Sequence, residues 1–348
     1  MTTPDLTPRQ NWTRNEITQI YNLPLPDLIL AAQQVRKANW PEGRMQVSQL
    51  LSVKTGGCAE NCGYCSQSAH FDTGLSASKL MDVDAVVSEA KKAKDNGADR
   101  FCMGAAWRSL KDRDLPKVCA MIEAVKAEGM ETCVTLGMLE DGQAQALADA
   151  GLDYYNHNLD TSREYYDQVV TTRTYENRIE TLGKARNAGL NLCVGGILGM
   201  GEGREDRIGL LHELSQLTPH PESVPINMLV PIKGTPLGES PPLDIAELVR
   251  AIATARIVFP KSWVRLSAGR EAMNEQMQSM CFFAGANSIF YGDKLLTTEN
   301  PEADADMNLL KKLGMNPEKR QDYSDEAYEA SLSSKIADKA TSELFYEA

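Results

Sequence analysis

The sequence predicts an α/β fold, a (β/α)8 TIM-type barrel with an N-terminal helical cap and a polar C-terminal tail, on three observations. From residue 47 a unit recurs: a short apolar, β-rich segment, a Gly- or polar-rich turn, then an amphipathic stretch closed by Gly or Asn-Gly. That alternation is the signature of βα units around a parallel sheet. The unit supplies eight strands, which fit a closed barrel better than an open sheet, although a six-strand open barrel with extra elements gives much the same pattern. Finally, 348 residues with 42% apolar content can bury one large core, and α/β barrels often pass about 250 residues without splitting.

Residues 1–42 read as a helical extension, with helices over 14–21 and 25–38 that precede the first strand as a cap. The first strand covers 47–53 and leads into a cysteine loop. The second, 100–104, follows a helix over about 83–94 that Asn96-Gly97 terminates, glycine being the usual residue just past a helix end. The third, 131–136, follows a helix over 117–128 that ends at Gly129, and the fourth, 154–160, follows a helix ending in Ala150-Gly151. Segments 190–194, 223–230, 263–267 and 286–291 complete the set, so the barrel spans 43–300. From 301 to 348 the chain turns acidic and polar, and 322–348 has too few apolar residues to fix a structure. This C-terminal extension is expected to be partly disordered.

A formal net charge of -12, with no Lys/Arg block to offset it, opposes any role built on neutralising a phosphate backbone, and nucleic acid is not an expected partner. No run of about 18 apolar residues occurs, so no membrane helix is expected. The opening Met1-Thr-Thr-Pro-Asp lacks the basic and then apolar build of an export signal. A cytoplasmic protein is expected. Eight cysteines spread through so large a chain then point to metal binding, catalysis or packing rather than to disulfide stapling.

Cys58-Ala-Glu-Asn-Cys62-Gly-Tyr-Cys65 is a C-x3-C-x2-C loop directly after the first strand. Three thiolates from one short loop can clasp one face of a [4Fe–4S] cubane, and soft sulfur ligands suit iron or zinc. Structural zinc wants four closed ligands, usually as two pairs, and here no fourth Cys or His follows at zinc spacing, His70 being the nearest. Cys102, Cys133 and Cys193 sit mid-strand in the second, third and fifth units, and Arg265 in the seventh. Inward side chains of a closed barrel converge on its axis, so these four can form one site. Each cysteine taken singly is as readily a small apolar filler, the reading kept for Cys119 and Cys281 in helical stretches. A guanidinium is fully protonated and offers no lone pair, so Arg265 reads from chemistry alone as a counter-charge to an anionic cluster.

The triplet, with Tyr64 before its last cysteine, resembles the signature C-x3-C-x-aromatic-C of the radical S-adenosylmethionine superfamily. That resemblance implies that three irons are held by Cys58, Cys62 and Cys65, and that the fourth binds the amino and carboxylate groups of S-adenosylmethionine. The stretches Phe101-Cys-Met-Gly-Ala-Ala-Trp107, Tyr154-Tyr-Asn-His-Asn-Leu-Asp-Thr161, Val224-Pro-Ile-Asn-Met-Leu229 and Val264-Arg-Leu-Ser-Ala-Gly-Arg-Glu271 resemble the biotin synthase family, a likeness extending over about residues 40 to 300. It implies that Cys102, Cys133, Cys193 and Arg265 hold a [2Fe–2S] cluster. It also implies the reaction, sulfur insertion converting dethiobiotin to biotin. The reduced [4Fe–4S] cluster cleaves S-adenosylmethionine to a 5′-deoxyadenosyl radical, and the [2Fe–2S] cluster donates the sulfur. Unactivated C–H bonds offer no acidity, so a cofactor-made radical is the physically sensible route. An external one-electron donor of flavodoxin type and a homodimer are further expectations from the family. Another barrel radical enzyme, such as a hydrogenase maturase, keeps the triplet without needing the strand cysteines.

Polar residues for the organic ligands follow. Alternation along the fourth strand puts Asn156, Asn158 and Asp160 on one face. Asp160 is a candidate acceptor for ribose hydroxyls, while Asn158, and Asn227 on the sixth strand, offer amides that complement a cyclic urea. Gly195 and Gly196 open a glycine-rich segment that resembles the one lying along S-adenosylmethionine in the superfamily, where glycine lets backbone approach a ligand. Arg178 and Arg173 are candidates for the methionine carboxylate, with Arg178 preferred by family analogy.

Overall fold

The computed structural model describes residues 9–40, 43–292, 294–301 and 303–317. Helix α1 (Arg14–Tyr21) begins at Thr13, whose hydroxyl accepts from the Glu16 backbone N–H while the Glu16 carboxylate accepts from the Thr13 N–H. This reciprocal cap satisfies two donors that the first turn leaves open. Helix α2 (Leu25–Asn39) completes the N-terminal cap. The barrel follows as β1 (Arg44–Lys54), α3 (Val83–Asp95), β2 (Arg100–Ala105), α4 (Leu115–Ala127), β3 (Glu131–Thr135), α5 (Gln143–Asp149), β4 (Tyr154–Asn156), α6 (Tyr175–Asn187), β5 (Asn191–Cys193), β6 (Gly196–Leu198), α7 (Arg204–Gln216), β7 (Ser223–Met228), α8 (Ile245–Val258), β8 (Trp263–Leu266), α9 (Glu275–Phe283) and β9 (Ser288–Phe290). The barrel helices bury apolar stripes, and the cap helices α1 and α2 pack on α7 and α8. In α3 Val86, Ala90 and Ala93, spaced by four and three residues, are fully buried, and α3 ends where Gly97 adopts φ +90°.

The strands run parallel in the order β1-β2-β3-β4-β5-β7-β8-β9, and β9 returns to pair with β1. The short β6 lies on β7 in the same register as β5, Cys193 opposite Ser223 and Gly196 opposite Ile226. β5 and β6 are therefore two halves of one stave broken at Val194-Gly195, and the barrel has the eight staves that the sequence pattern predicts. The break exists because Gly195 crosses β7 so closely that a Cβ there would lie 1.8 Å from the Pro225 carbonyl oxygen.

Two differences from the sequence reading have physical causes. The fourth strand stops at Asn156 rather than 160, and Asp160 has φ +68°, the one positive-φ residue other than glycine among those described. Strand alternation therefore does not align 156, 158 and 160; tertiary bonds to Asp160, described below, hold it in a conformation that costs an L-residue about 1 kcal/mol or more. The start of the C-terminal extension is also ordered. It forms α10 (Ala303–Lys312) and β10 (Asn316–Pro317), and β10 pairs with the start of β1. Asp306 of α10 is buried against Arg270, which also donates to the Phe290 carbonyl and so ties the extension to the end of β9. The expected frayed segment 322–348 lies outside the described residues. No helix among those residues is long and apolar enough to cross a membrane.

Gly195→Ala must displace the β7 backbone, and we expect it to destabilise the chain by about 3 kcal/mol, read as a lowered urea midpoint with an unchanged slope.

Candidate active site with two thiol clusters on one cavity

A cavity of about 330 Å³ opens at the C-terminal ends of the staves and descends into the barrel. Its upper wall is the cysteine loop. After β1 the chain turns through Gly56 and Gly57, both left-handed at φ +67° and +69°. The loop closes on its own backbone: Cys58 N–H donates to Gln67 O at 2.9 Å, Ala69 N–H to Cys58 O at 2.7 Å and Cys65 N–H to Cys62 O at 2.9 Å. With the main chain so occupied, the side chains of Cys58, Cys62 and Cys65 are left to line the cavity as free thiols. Among the described residues no three His, Cys, Asp or Glu close around a point that a single metal ion would occupy. Three thiols from one loop can clasp one face of a multinuclear cluster, whereas structural zinc takes four ligands. His70 is tied instead to the Ala59 carbonyl at 3.0 Å.

Burial pushes all three thiols above their ordinary range, Cys65 to about 12. Arg173 opposes this at Cys62, with Nη2 3.5 Å from Sγ. Ligation requires thiolates, so the loop favours protonated sulfur until a cation replaces the protons.

Tyr64 joins this loop to the β4 rim. Its hydroxyl, pushed well up by burial and by the Asp160 charge, stays protonated and donates to Asp160 Oδ2 at 2.7 Å. The same oxygen accepts from Arg178 Nη2, while Arg178 donates also to the Asn158 carbonyl and, through Nε at 2.7 Å, to Tyr166 Oη. Arg178 and Asp160 are buried, so neither charge is free to drift. Asp160 O accepts from Ile197 N–H at 2.7 Å, which fixes its left-handed turn against β6. Asn158 Oδ1 takes Gly195 N–H at 3.1 Å, and Asn227 bridges Gly196 O at 2.9 Å and Ala268 N–H at 3.2 Å. Tyr64, Asn158, Asp160, Arg173, Arg178 and Asn227 all line the cavity; Gly195 and Gly196 do not. Backbone packing explains both glycines, since a Cβ on Gly196 would meet Leu210 at 2.3 Å and Asp160 O at 2.6 Å.

The cavity floor is the second thiol set. Cys102 stands opposite Cys133 in the β2–β3 register, and Asn156 opposite Cys193 in β4–β5. Cys102, Cys133, Cys193 and Tyr154 form one buried cluster, apart from the main apolar core. Arg265 enters from β8. Its Nε donates to Ser288 Oγ at 2.9 Å, and Nη2 to Gln46 Oε1 at 2.9 Å and Ser48 Oγ at 3.0 Å, but the buried Nη1 has no hydrogen-bond partner. A hydrogen bond from Cys133 outweighs burial and, with Arg265 and Arg100, pulls Cys193 well below the ordinary thiol range. Burial pushes Cys102 up, yet the Cys133 bond and the same two guanidiniums leave it lowered. Three convergent sulfurs, two of them thiolate-prone, and an orphaned nitrogen suit a small anionic cluster.

Three features escaped the sequence reading. Glu60, inside the cysteine loop, is buried on the cavity wall with Oε1 lacking a hydrogen bond and Arg108 Nη1 at 3.4 Å. Leu295, Leu296 and Thr297 fold over the mouth, where Thr297 Oγ1 meets Ser66 Oγ at 2.8 Å. The signal for this lid was Gly104, since a Cβ there would clash with Leu296. Arg100, two residues before Cys102, shares its inward face.

The barrel and its thiol loop define a radical S-adenosylmethionine enzyme: residues 52–214 match the model of the Radical SAM superfamily, and residues 225–316 match that of the Biotin and Thiamin Synthesis associated domain. Solved structures show the fold alone, among them methylornithine synthase (TM-score 0.75, 19% identity, 89% of this chain and 95% of that one) and the FeFe-hydrogenase maturase of Carboxydothermus hydrogenoformans (TM-score 0.77, 16% identity, 94% and 83%). The chain is 71% identical to the biotin synthase of Hyphomonas neptunium over 314 residues, 90% of this chain and 98% of that one. It is 62% identical to that of Pseudoalteromonas translucida over 340 residues, 98% of each. The chain belongs to the biotin synthase family, and its cofactors are accordingly a [4Fe–4S] cluster, a [2Fe–2S] cluster and S-adenosylmethionine.

An acid whose pKa is raised on folding stabilises the fold below its unfolded value and loses that contribution as pH rises through the folded one. The metal-free chain should therefore lose stability as pH climbs from 9.0 to about 12 because of Cys65. Urea midpoints against pH should fall less steeply in Cys65→Ser, whose hydroxyl does not ionise in that window.

Proposed function

We propose that Cys58, Cys62 and Cys65 hold the [4Fe–4S] cluster, that Cys102, Cys133 and Cys193 with Arg265 hold the [2Fe–2S] cluster, and that dethiobiotin binds between them to receive sulfur. One observation carries the assignment: both thiol sets line a single cavity, the triplet at its upper wall and the strand cysteines at its floor. When bound, the two clusters supply an electron for reductive cleavage of S-adenosylmethionine and a sulfide for the new C–S bonds. The side chains do the rest. Arg178 and Arg173 form a positive wall for the methionine carboxylate, and Asp160, fixed by Tyr64 and Arg178, faces the cavity as a ribose acceptor. Asn227, after its two backbone bonds, keeps a donor hydrogen and a lone pair for a cyclic urea beside Asn158. Leu295 and Leu296 close the mouth with apolar surface that excludes water from a reactive intermediate.

In this reading residues 43–300 are the catalytic barrel, 1–42 its cap and 301–348 an extension. Electrons come from an external one-electron donor of flavodoxin type. The assembly is a homodimer, as family likeness implies, and the setting is a reducing cytoplasm, supported by eight free cysteines.

Anaerobic reconstitution with iron and sulfide tests the assignment. We expect about six irons and six sulfides per chain, the sum of the two cluster types. Cys133→Ala should remove the [2Fe–2S] absorption and spare reductive cleavage of S-adenosylmethionine, whereas Cys62→Ala should abolish cleavage. Retention of the [2Fe–2S] absorption in Cys133→Ala overturns the floor assignment, and undiminished cleavage in Cys62→Ala overturns the upper one.

A further inference from the structure

The inner face of β2 carries a residue below Cys102 that the proposed reaction does not use. Alternation turns Phe101 and Met103 into the apolar core and leaves Arg100, Cys102 and Gly104 facing the barrel axis. Arg100 is fully buried. Its Nε donates to the Glu131 carboxylate, its partner in the β2–β3 register, and its guanidinium stacks on the Tyr154 ring, Cζ 3.5 Å from the centroid. Tyr154 stands opposite Cys133 and packs in the same cluster as Cys102, Cys133 and Cys193. A flat cation therefore lies against the ring that packs with the three cysteines.

Both terminal nitrogens of that cation, Nη1 and Nη2, are buried without a hydrogen-bond partner. Leaving buried donors of a charged group unmet carries the full cost of stripping them of water. The ion pair with Glu131 uses Nε alone and does not account for them. Arg265, across the barrel on β8, is held by three side chains with only Nη1 unmet. The charges of both guanidiniums, on different strands, are felt at Cys102 and Cys193, and both carry unmet N–H groups.

We propose that Arg100 is the anion anchor of the deep thiol chamber, donating through Nη1 and Nη2 to sulfur of the iron–sulfur centre held there. It is a positioning residue that governs how firmly the centre is retained and how readily it accepts an electron. This rests on the strand cysteines being cluster ligands. Hydrogen bonds to cluster sulfur and nearby positive charge favour the reduced, more anionic form, so removing them lowers the potential.

The test uses the full chain, reconstituted anaerobically as wild type, as Arg100→Lys, and as the pair Arg100→Met with Glu131→Gln, which leaves no lone buried carboxylate. Loss of the [2Fe–2S] absorption to an iron chelator and the midpoint potential of that centre are measured, with the [4Fe–4S] signal of each sample as internal reference. In the neutral pair we expect the deep centre to be lost at least about tenfold faster. We also expect its one-electron equilibrium to shift about tenfold, about 59 mV, towards the oxidised form. The [4Fe–4S] signal should be unchanged, and Arg100→Lys should lie nearer to wild type in potential. Wild-type retention and potential in the neutral pair overturn the proposal. So does joint loss of both centres and of cooperative thermal unfolding in both variants, which marks Arg100 as a strut. If the wild type itself shows no [2Fe–2S] absorption, or Cys133→Ala keeps it, the ligand reading fails and this inference falls with it.

Discussion

When β9 pairs with β1 through Gln46 and Ser288, the last open edge of the sheet disappears and every inward side chain is aimed at one axis. Residues more than a hundred positions apart then become neighbours without any loop having to carry them. Cys102 and Cys133 face each other in register, Cys193 joins them from β5 two residues beyond the position aligned with Cys133, and Arg265 is aimed inward from β8, which pairs with β9 as β9 pairs with β1. Gln46, Ser48 and Ser288, which set the direction of Arg265, all belong to the strands that make that closure. The polar interior is thus a product of the seam, and the helices outside it supply the apolar burial that holds the seam shut.

Buried charge marks the joints. Arg178 with Asp160 couples the cysteine loop to the β4 rim through Tyr64, Arg270 with Asp306 fastens α10, and Arg100 with Glu131 floors the barrel. Such pairs add little net stability over well-packed apolar residues, because desolvation consumes most of the attraction. They do define geometry, since breaking one leaves an uncompensated charge. At Asp160 this control is strong enough to hold a residue other than glycine in the left-handed region.

How much of this was legible in the sequence follows from which forces are local. Period-two alternation identified Cys102, Cys133, Cys193 and Arg265 as inward, and helix-end glycines such as Gly97 fixed the boundaries, because both signals depend on near neighbours in the chain. Asp160 was placed on a strand because its true conformation is imposed by Arg178 and Tyr64, far away in sequence. Gly195 and Gly196 were read as letting backbone approach a ligand; that they also let the chain pass β7 and Asp160 is a crowding visible only in three dimensions. Arg100 gave the same alternation signal as Cys102, but an arginine on a strand draws notice only once its nitrogens are found buried and unmet.

The shared cavity imposes an order of events. The strand cysteines lie at its floor, 1–3% exposed, beneath the space proposed for the organic substrate and beneath the lid that Thr297 fastens to Ser66. Any inorganic building block arriving from above must pass before the organic one does. Under the proposed assignment, maturation of the floor and occupancy by substrate are mutually exclusive states of one vestibule, and a chain that had given up its sulfur would have to empty that vestibule before being replenished by the same route.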